Sequence, residues 1–149
     1  MEVKKILCAV DLEDTIAPSV EYAKMMASMT GASILVAYVI PAHTPYEDVY
    51  LSVNNQPNEV IYPIDTFLKS MIAVLAEQFA GMDATGVILV GRPSEELVKL
   101  AEEKGANLIV MGTHGRAGFD RLLFGSVAHE VVRAAPCPVM TVRPLMPKK

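Results

Sequence analysis

Short, unbroken apolar runs alternate with segments of helical period along most of this chain, and that alternation limits the possible folds more than any other feature. Ile6, Leu7, Cys8, Ala9 and Val10 follow one another without a polar residue, and Asp11 closes the run. A strand with one wet face alternates polar and apolar residues, so an unbroken run predicts a strand covered on both faces in a parallel sheet. Asp14 or Thr15 can cap a following helix that tolerates Pro18 in its first turn. Val20, Ala23, Met26 and Ala27 mark one face of that helix until Gly31 stops it. A second buried strand is predicted from Ser33 to Ile40, ended by Pro41.

From Pro41 to Pro63 four prolines and two adjacent asparagines break every period, which predicts a long loop, a type of connection usually kept for lids and binding segments. Leu68, Ile72, Leu75 and Phe79 predict a helix from about Ile64 to Phe79, with Gly81 near its end. Val87 to Val90 reads as a third strand. Ser94 is placed to cap a helix with Glu95 and Glu96 in its first turn and Gly105 at its end. Leu108 to Met111 is the fourth strand. A last helix opens near Ser126, lines one face with Val127, Val131 and Ala135, and stops at Pro136. Val139 to Val142 is the fifth strand, fenced by Pro138 and Pro144. The fold class is therefore α/β: an open, mostly parallel, five-stranded sheet with helices on both faces and right-handed crossovers. With 149 residues and 52% hydrophobic content, residues 1–149 are expected to form one domain around one core.

Charge and cysteine usage exclude several functions. Thirteen basic residues against seventeen acidic ones, a net charge of −4, include no basic block that would neutralise a run of phosphates, so nucleic acid is not an expected partner. Cys8 and Cys137 have neither metal-ligand nor disulfide-framework spacing and read as reduced thiols. The first apolar run is too short for a signal peptide, and no segment approaches the roughly 20 apolar residues of a membrane-spanning helix. A cytoplasmic protein that does not contact membrane is expected.

Open α/β sheets bind ligands beyond the carboxyl ends of their strands, where strand order reverses. Asp11, Val39 and the segment Met111-Gly112-Thr113-His114-Gly115-Arg116-Ala117-Gly118 fall there, and Gly125-Ser126 opens the last helix. The first amides of that helix have no acceptor within it and lie at its positive end, so a phosphate group would satisfy them. Glycines 112, 115 and 125 are expected to adopt positive φ and to let a ligand approach the backbone closely, although each also serves a plain strand-to-helix turn. The chain has no G-x-x-x-x-G-K-[ST], and Asp11-Leu12 stands where a Rossmann loop would carry G-x-G-x-x-G.

The spacing Gly112-x2-Gly115-x9-Gly125-Ser126 resembles the ATP-binding signature of the universal stress protein family. The resemblance runs from Ile-Leu-Cys-Ala-Val-Asp near the start, through Thr-Gly-Ala-Ser-Ile-Leu-Val-Ala-Tyr-Val, to Val-Met-Gly-Thr-His-Gly-Arg and Cys-Pro-Val-Met-Thr-Val. It implies a Rossmann-like, five-stranded fold of the adenine nucleotide alpha hydrolase type. By position it implies that Ala9, Asp11 and Val39 hold adenine and ribose, that residues 112–118 wrap the phosphates with Met111 beside them in the site, and that Ser126, Val127 and Ala128 donate to them. The implied ligand is ATP, whose phosphates can hold Mg²⁺. The chain departs from the family after Asp11, where Leu12, Glu13 and Asp14 replace a frequent Gly and Ser. Two carboxylates there face solvent, cap the helix, or share a Mg²⁺ with the phosphates.

Several other residues carry chemically capable side chains. His114 is a phosphate donor or a turn residue, and Arg116 and Arg121 neutralise ligand charge or are solvated surface. His43, His114 and His129 are too scattered for a metal site, and His129-Glu130 lacks the second half of H-E-x-x-H. Ser126, His114 and Asp11 make a hydrolytic triad only on paper, because no G-x-S-x-G elbow is present. Asp11 is a base by location alone, so slow or negligible turnover is expected. The short apolar strand Val139-Met140-Thr141-Val142 suits a sheet edge, and pairing with its copy would give the two-fold homodimer that the resemblance also implies. The functional reading is an ATP-binding regulatory module of the stress response. The alternatives are a slow ATPase or nucleotidyl-transfer enzyme and a dimeric domain that has lost its ligand.

Overall fold

The computed structural model describes residues 2–10, 18–41, 77–113 and 125–143. Five strands, β1 (Lys5–Ala9), β2 (Ser33–Pro41), β3 (Ala84–Gly91), β4 (Leu108–Gly112) and β5 (Val139–Val142), form one parallel sheet in the order β3-β2-β1-β4-β5. Three helices, α1 (Pro18–Thr30), α2 (Pro93–Lys104) and α3 (Ser126–Ala134), cross over between them. Leu7 of the central strand lies opposite Leu35 on one side and Ile109 on the other.

The unbroken apolar run of β1 is explained by what covers it. Ile6 and Cys8 face a cluster with Val20, Ala23 and Ala27 of α1, and Phe79 joins that cluster. Leu7 faces the opposite cluster with Leu97, Leu100 and Ala101 of α2 and Ala128 and Val131 of α3. Ile6, Leu7, Ile109 and Val131 are all fully shielded from solvent. Each such side chain contributes about 1.5–3 kcal/mol of burial free energy, which is why a polar residue in the run would be excluded.

The helices end where local chemistry dictates. Gly31 (φ +76) follows α1 and donates its N–H to Ala27 O at 2.8 Å. Gly105 takes the left-handed conformation at the end of α2, with φ 69 and ψ 40. Ala135 is extended at ψ 144, as the residue before Pro136 must be, and this ends α3.

Three local expectations are corrected. β3 begins at Ala84, three residues before the predicted Val87. Its pairing with β2, from Ile34 opposite Ala84 to Pro41 opposite Gly91, recruits residues of weak strand propensity. Ser94 does not cap α2: Arg92 is the N-cap residue, Pro93 follows it, and no side chain caps the helix. Gly91 at φ +154 makes the sharp exit from β3, and a Cβ there would lie 2.8 Å from Glu96 Cγ. Gly125 has φ −68 and ψ 161, and Gly112 continues β4, so neither is among the positive-φ glycines. The predicted helix 64–79 and the 41–63 loop lie almost wholly outside the described residues.

β5 is one edge of the sheet. Ile109 N–H donates to Pro138 O at 3.0 Å and Thr113 N–H to Val142 O at 3.1 Å. With that register Met140 and Val142 turn their backbone groups toward β4, and Val139 and Thr141 turn theirs away from it.

Candidate functional site

Strand order reverses at β1. The chain builds outward through β2 to β3 on one side, and then crosses back to place β4 and β5 on the other. The carboxyl ends of β1 and β4 therefore diverge into a crevice, the usual ligand position in open α/β sheets. Ala9 ends β1, Met111 and Gly112 end β4, and Val39 lies two residues before the end of β2. Ala9, Val39 and Met111 belong to the same apolar cluster as Val127 and Ala128 from the first turn of α3. The structure thus brings together five of the residues that the sequence selected.

Thr113 makes the junction. It is buried, its N–H donates to Val142 O at 3.1 Å, and its carbonyl accepts the N–H of Gly125 at 2.6 Å. Thr113 and Gly125 therefore meet beside the strand ends. α3 starts there without a side-chain cap, and its first internal bond runs from His129 N–H to Gly125 O at 3.0 Å. The amides of Ser126, Val127 and Ala128 precede that bond, at the positive end of the helix. Ser126 is exposed and Gly125 half-buried. An apolar floor suited to an aromatic base and amides suited to an anion therefore occupy one region.

Asp11, His114, Gly115, Arg116, Ala117 and Gly118 lie outside the described residues, as do Glu13, Asp14, His43 and Arg121. Among the described residues no three His, Cys, Asp or Glu side chains converge as metal ligands. No helix among them is long and apolar enough to cross a membrane.

A sequence profile described as the Universal stress protein family matches residues 2–143. The chain belongs to the universal stress protein family. A universal stress protein of Methanocaldococcus jannaschii is 32% identical over 154 residues, covering 98% of this chain and 84% of its own. The solved universal stress protein of Lactobacillus plantarum has a TM-score of 0.72 at 23% identity and covers 96% of this chain and 99% of its own. A universal stress protein solved in complex with cAMP has a TM-score of 0.64 at 23% identity, with 97% of this chain and 100% of its own covered. The Archaeoglobus fulgidus member in complex with dAMP has a TM-score of 0.59 at 23% identity, with coverage of 95% and 98%. These likenesses establish the fold of this universal stress protein as that of its family.

One polar cluster in this universal stress protein was not found by sequence reasoning. Ser94, buried in α2, donates its hydroxyl to Glu130 Oε1 of α3, and Arg92 Nη2 approaches Glu130 Oε2 at 3.0 Å. The hydrogen bond from Ser94 holds the Glu130 carboxyl below its usual range. Partial desolvation opposes this and the charge of Arg92 adds to it. The partners are 36 and 38 residues apart, so no local pattern announces them. A groove between α2 and α3 runs past this cluster and is lined by helix residues such as Val98, Lys99 and Ala134, away from the strand-end crevice.

Proposed function

We propose that this protein binds an adenine nucleotide, with ATP as the ligand and Mg²⁺ carried by its phosphates, across the carboxyl ends of β1 and β4. The observation that carries the reading is the Thr113–Gly125 junction, which sets the uncapped first turn of α3 beside the apolar residues Ala9, Val39 and Met111. In this reading Ala9, Val39 and Met111 pack against adenine and ribose, and Asp11 accepts from the ribose. Residues 112–118 wrap the phosphates, and Ser126, Val127 and Ala128 donate to them. The adenylates cAMP and dAMP in two structurally similar family members support the ligand class.

The protein acts as a binding module rather than by turnover. Occupancy orders the segment between Thr113 and Gly125 and changes a surface that stress-response partners read. Residues 1–149 work as one cytoplasmic domain, paired as a homodimer through Val139, Met140, Thr141 and Val142. The position of β5 at a sheet edge supports the pairing.

Calorimetric titration of ligand-stripped protein with ATP, AMP and cAMP, beside the variant Gly125→Val, tests the site. At φ −68 and ψ 161 valine fits the backbone, so the variant should fold. Its branched side chain stands where a phosphate oxygen would approach, and affinity should fall by about tenfold or more. Unchanged affinity would place the nucleotide elsewhere. No adenylate binding by the wild type at millimolar concentration would end the reading, and rapid release of ADP from ATP would replace it with an enzyme.

A further inference from the structure

We propose that Ser94, Glu130 and Arg92 form a latch between α2 and α3 that positions the first turn of α3 at the strand-end crevice. The inference rests on the nucleotide reading for its consequence, whereas the latch itself is read from the contacts between α2 and α3. α3 has nine residues, and only Ala128 and Val131 among them are buried. Ala128 and Val131, with the partly buried Val127 beside them, hold a short helix against the sheet but resist sliding and rotation about its axis poorly, because dispersion contacts are non-directional. Hydrogen bonds are directional. Glu130 lies four residues after Ser126, one turn along the helix, and both of its carboxylate oxygens are engaged: Oε1 by the buried Ser94 hydroxyl and Oε2 by Arg92 at 3.0 Å.

The far side of the latch starts α2 directly at the end of β3. Arg92 is the N-cap residue of α2, and its Nη1 also meets Glu95 Oε2 at 3.4 Å. Gly91 immediately before it ends β3 and packs so closely on Glu96 that a side chain would collide. Glu130 is thereby tied to the carboxyl end of the sheet by two routes. Arg92 has a second effect. A carboxylate one turn inside α3 opposes an anion at the helix mouth, and the adjacent guanidinium offsets that charge. Ser94, Glu130 and Arg92 are positioning residues, because they act through the amides of α3.

Hydrogen exchange on the ligand-free protein and calorimetric ATP titration, run on Glu130→Ala, Ser94→Ala and the double variant, test the latch. Expected is an acceleration of about tenfold in amide exchange at His129 to Val131, with α1 amides unchanged, and a loss of about tenfold in ATP affinity. Ser94→Ala keeps the Arg92 contact and should lose less than Glu130→Ala, and the double variant should lose no more than Glu130→Ala alone, because the Ser94 bond runs only to Glu130. Ser94→Thr, which keeps the hydroxyl, should restore wild-type affinity. If Glu130→Ala does not fold, Glu130→Gln keeps the acceptor for Ser94 and loses the ion pair, and should give a smaller shift in the same direction. Unaltered exchange in α3, equal acceleration in α1, or additive losses would overturn the latch. Accelerated exchange with unchanged ATP affinity would overturn its positioning role. A wild type that binds no adenylate while the exchange pattern holds would instead overturn the nucleotide reading and leave the latch standing.

Discussion

Cys8 sits in the middle of β1 with no solvent exposure, and its Sγ contacts Ser19 O at 3.9 Å. Burial pushes its thiol up from the ordinary 9.0 to about 12, partly opposed by the contact with Ser19. The native state therefore holds this proton more tightly than the unfolded chain. Below pH 9.0 both states are protonated and the contribution of Cys8 is fully present. As pH climbs from 9.0 toward 12 the unfolded thiol ionises and the native one does not, so stability falls. Denaturant unfolding across that range should show an alkaline decline that is shallower in Cys8→Ala, by up to about 1.4 kcal/mol per pH unit. Parallel pH profiles would mean that the thiol is not sealed as described. At this scale the sequence was a good guide to burial and a poor one to backbone angle. Cys8 inside an apolar run was legible, whereas Gly125 was expected at positive φ and has φ −68. A glycine's identity reports freedom, and the surrounding chain decides how that freedom is used.

Elements were legible where both of their faces are covered. β1 and β4 announce themselves as unbroken apolar runs because α1 packs on one side and α2 and α3 on the other. The start of β3 was hidden because Ala84 and Gly86 flank Thr85 with little strand propensity of their own, and register with β2 makes the three a strand. Ser94 looked like a cap because serine usually is one at a helix start. Its hydroxyl is instead committed to Glu130, a partner no local pattern reveals. β5 carries a prediction at this scale. The backbone groups of Thr141 point away from β4, so Thr141→Pro should leave the β4 ladder intact while removing a donor from the outer edge. If copies pair there, sedimentation should show a dimer for the wild type and a folded monomer for the variant. A variant that remained dimeric would move the interface away from β5.

For the whole molecule, the alternation of strands and helices predicted an open parallel sheet, and the order β3-β2-β1-β4-β5 delivers one with its reversal at β1. The site was legible in several ways. Val39 and the end of β4 follow from the topology, because strand ends beside a reversal must meet, and Ala9 follows from the family resemblance. Gly125 and Ser126 follow from the start of a helix. Asp11, placed by its position after the first strand, and residues 114–118, placed by motif spacing, lie outside the described residues. A ligand that binds only the folded chain raises its stability by mass action. ATP at about 100 times its dissociation constant should therefore add about 2.7 kcal/mol, visible as a higher melting temperature that keeps climbing with ATP concentration. GTP at the same concentration should move it less if the apolar floor selects adenine. Equal shifts would mean that the phosphates alone are recognised.

The bond from Gly125 N–H to Thr113 O, at 2.6 Å, holds those two residues against each other. With both ends fixed, the closure entropy of the residues between them grows only slowly with their number, by about 0.6 kcal/mol for each doubling. Natural variation and laboratory grafting can therefore change that stretch in length and chemistry while the sheet beneath keeps its register. One scaffold can in this way be retuned toward new effectors without being refolded.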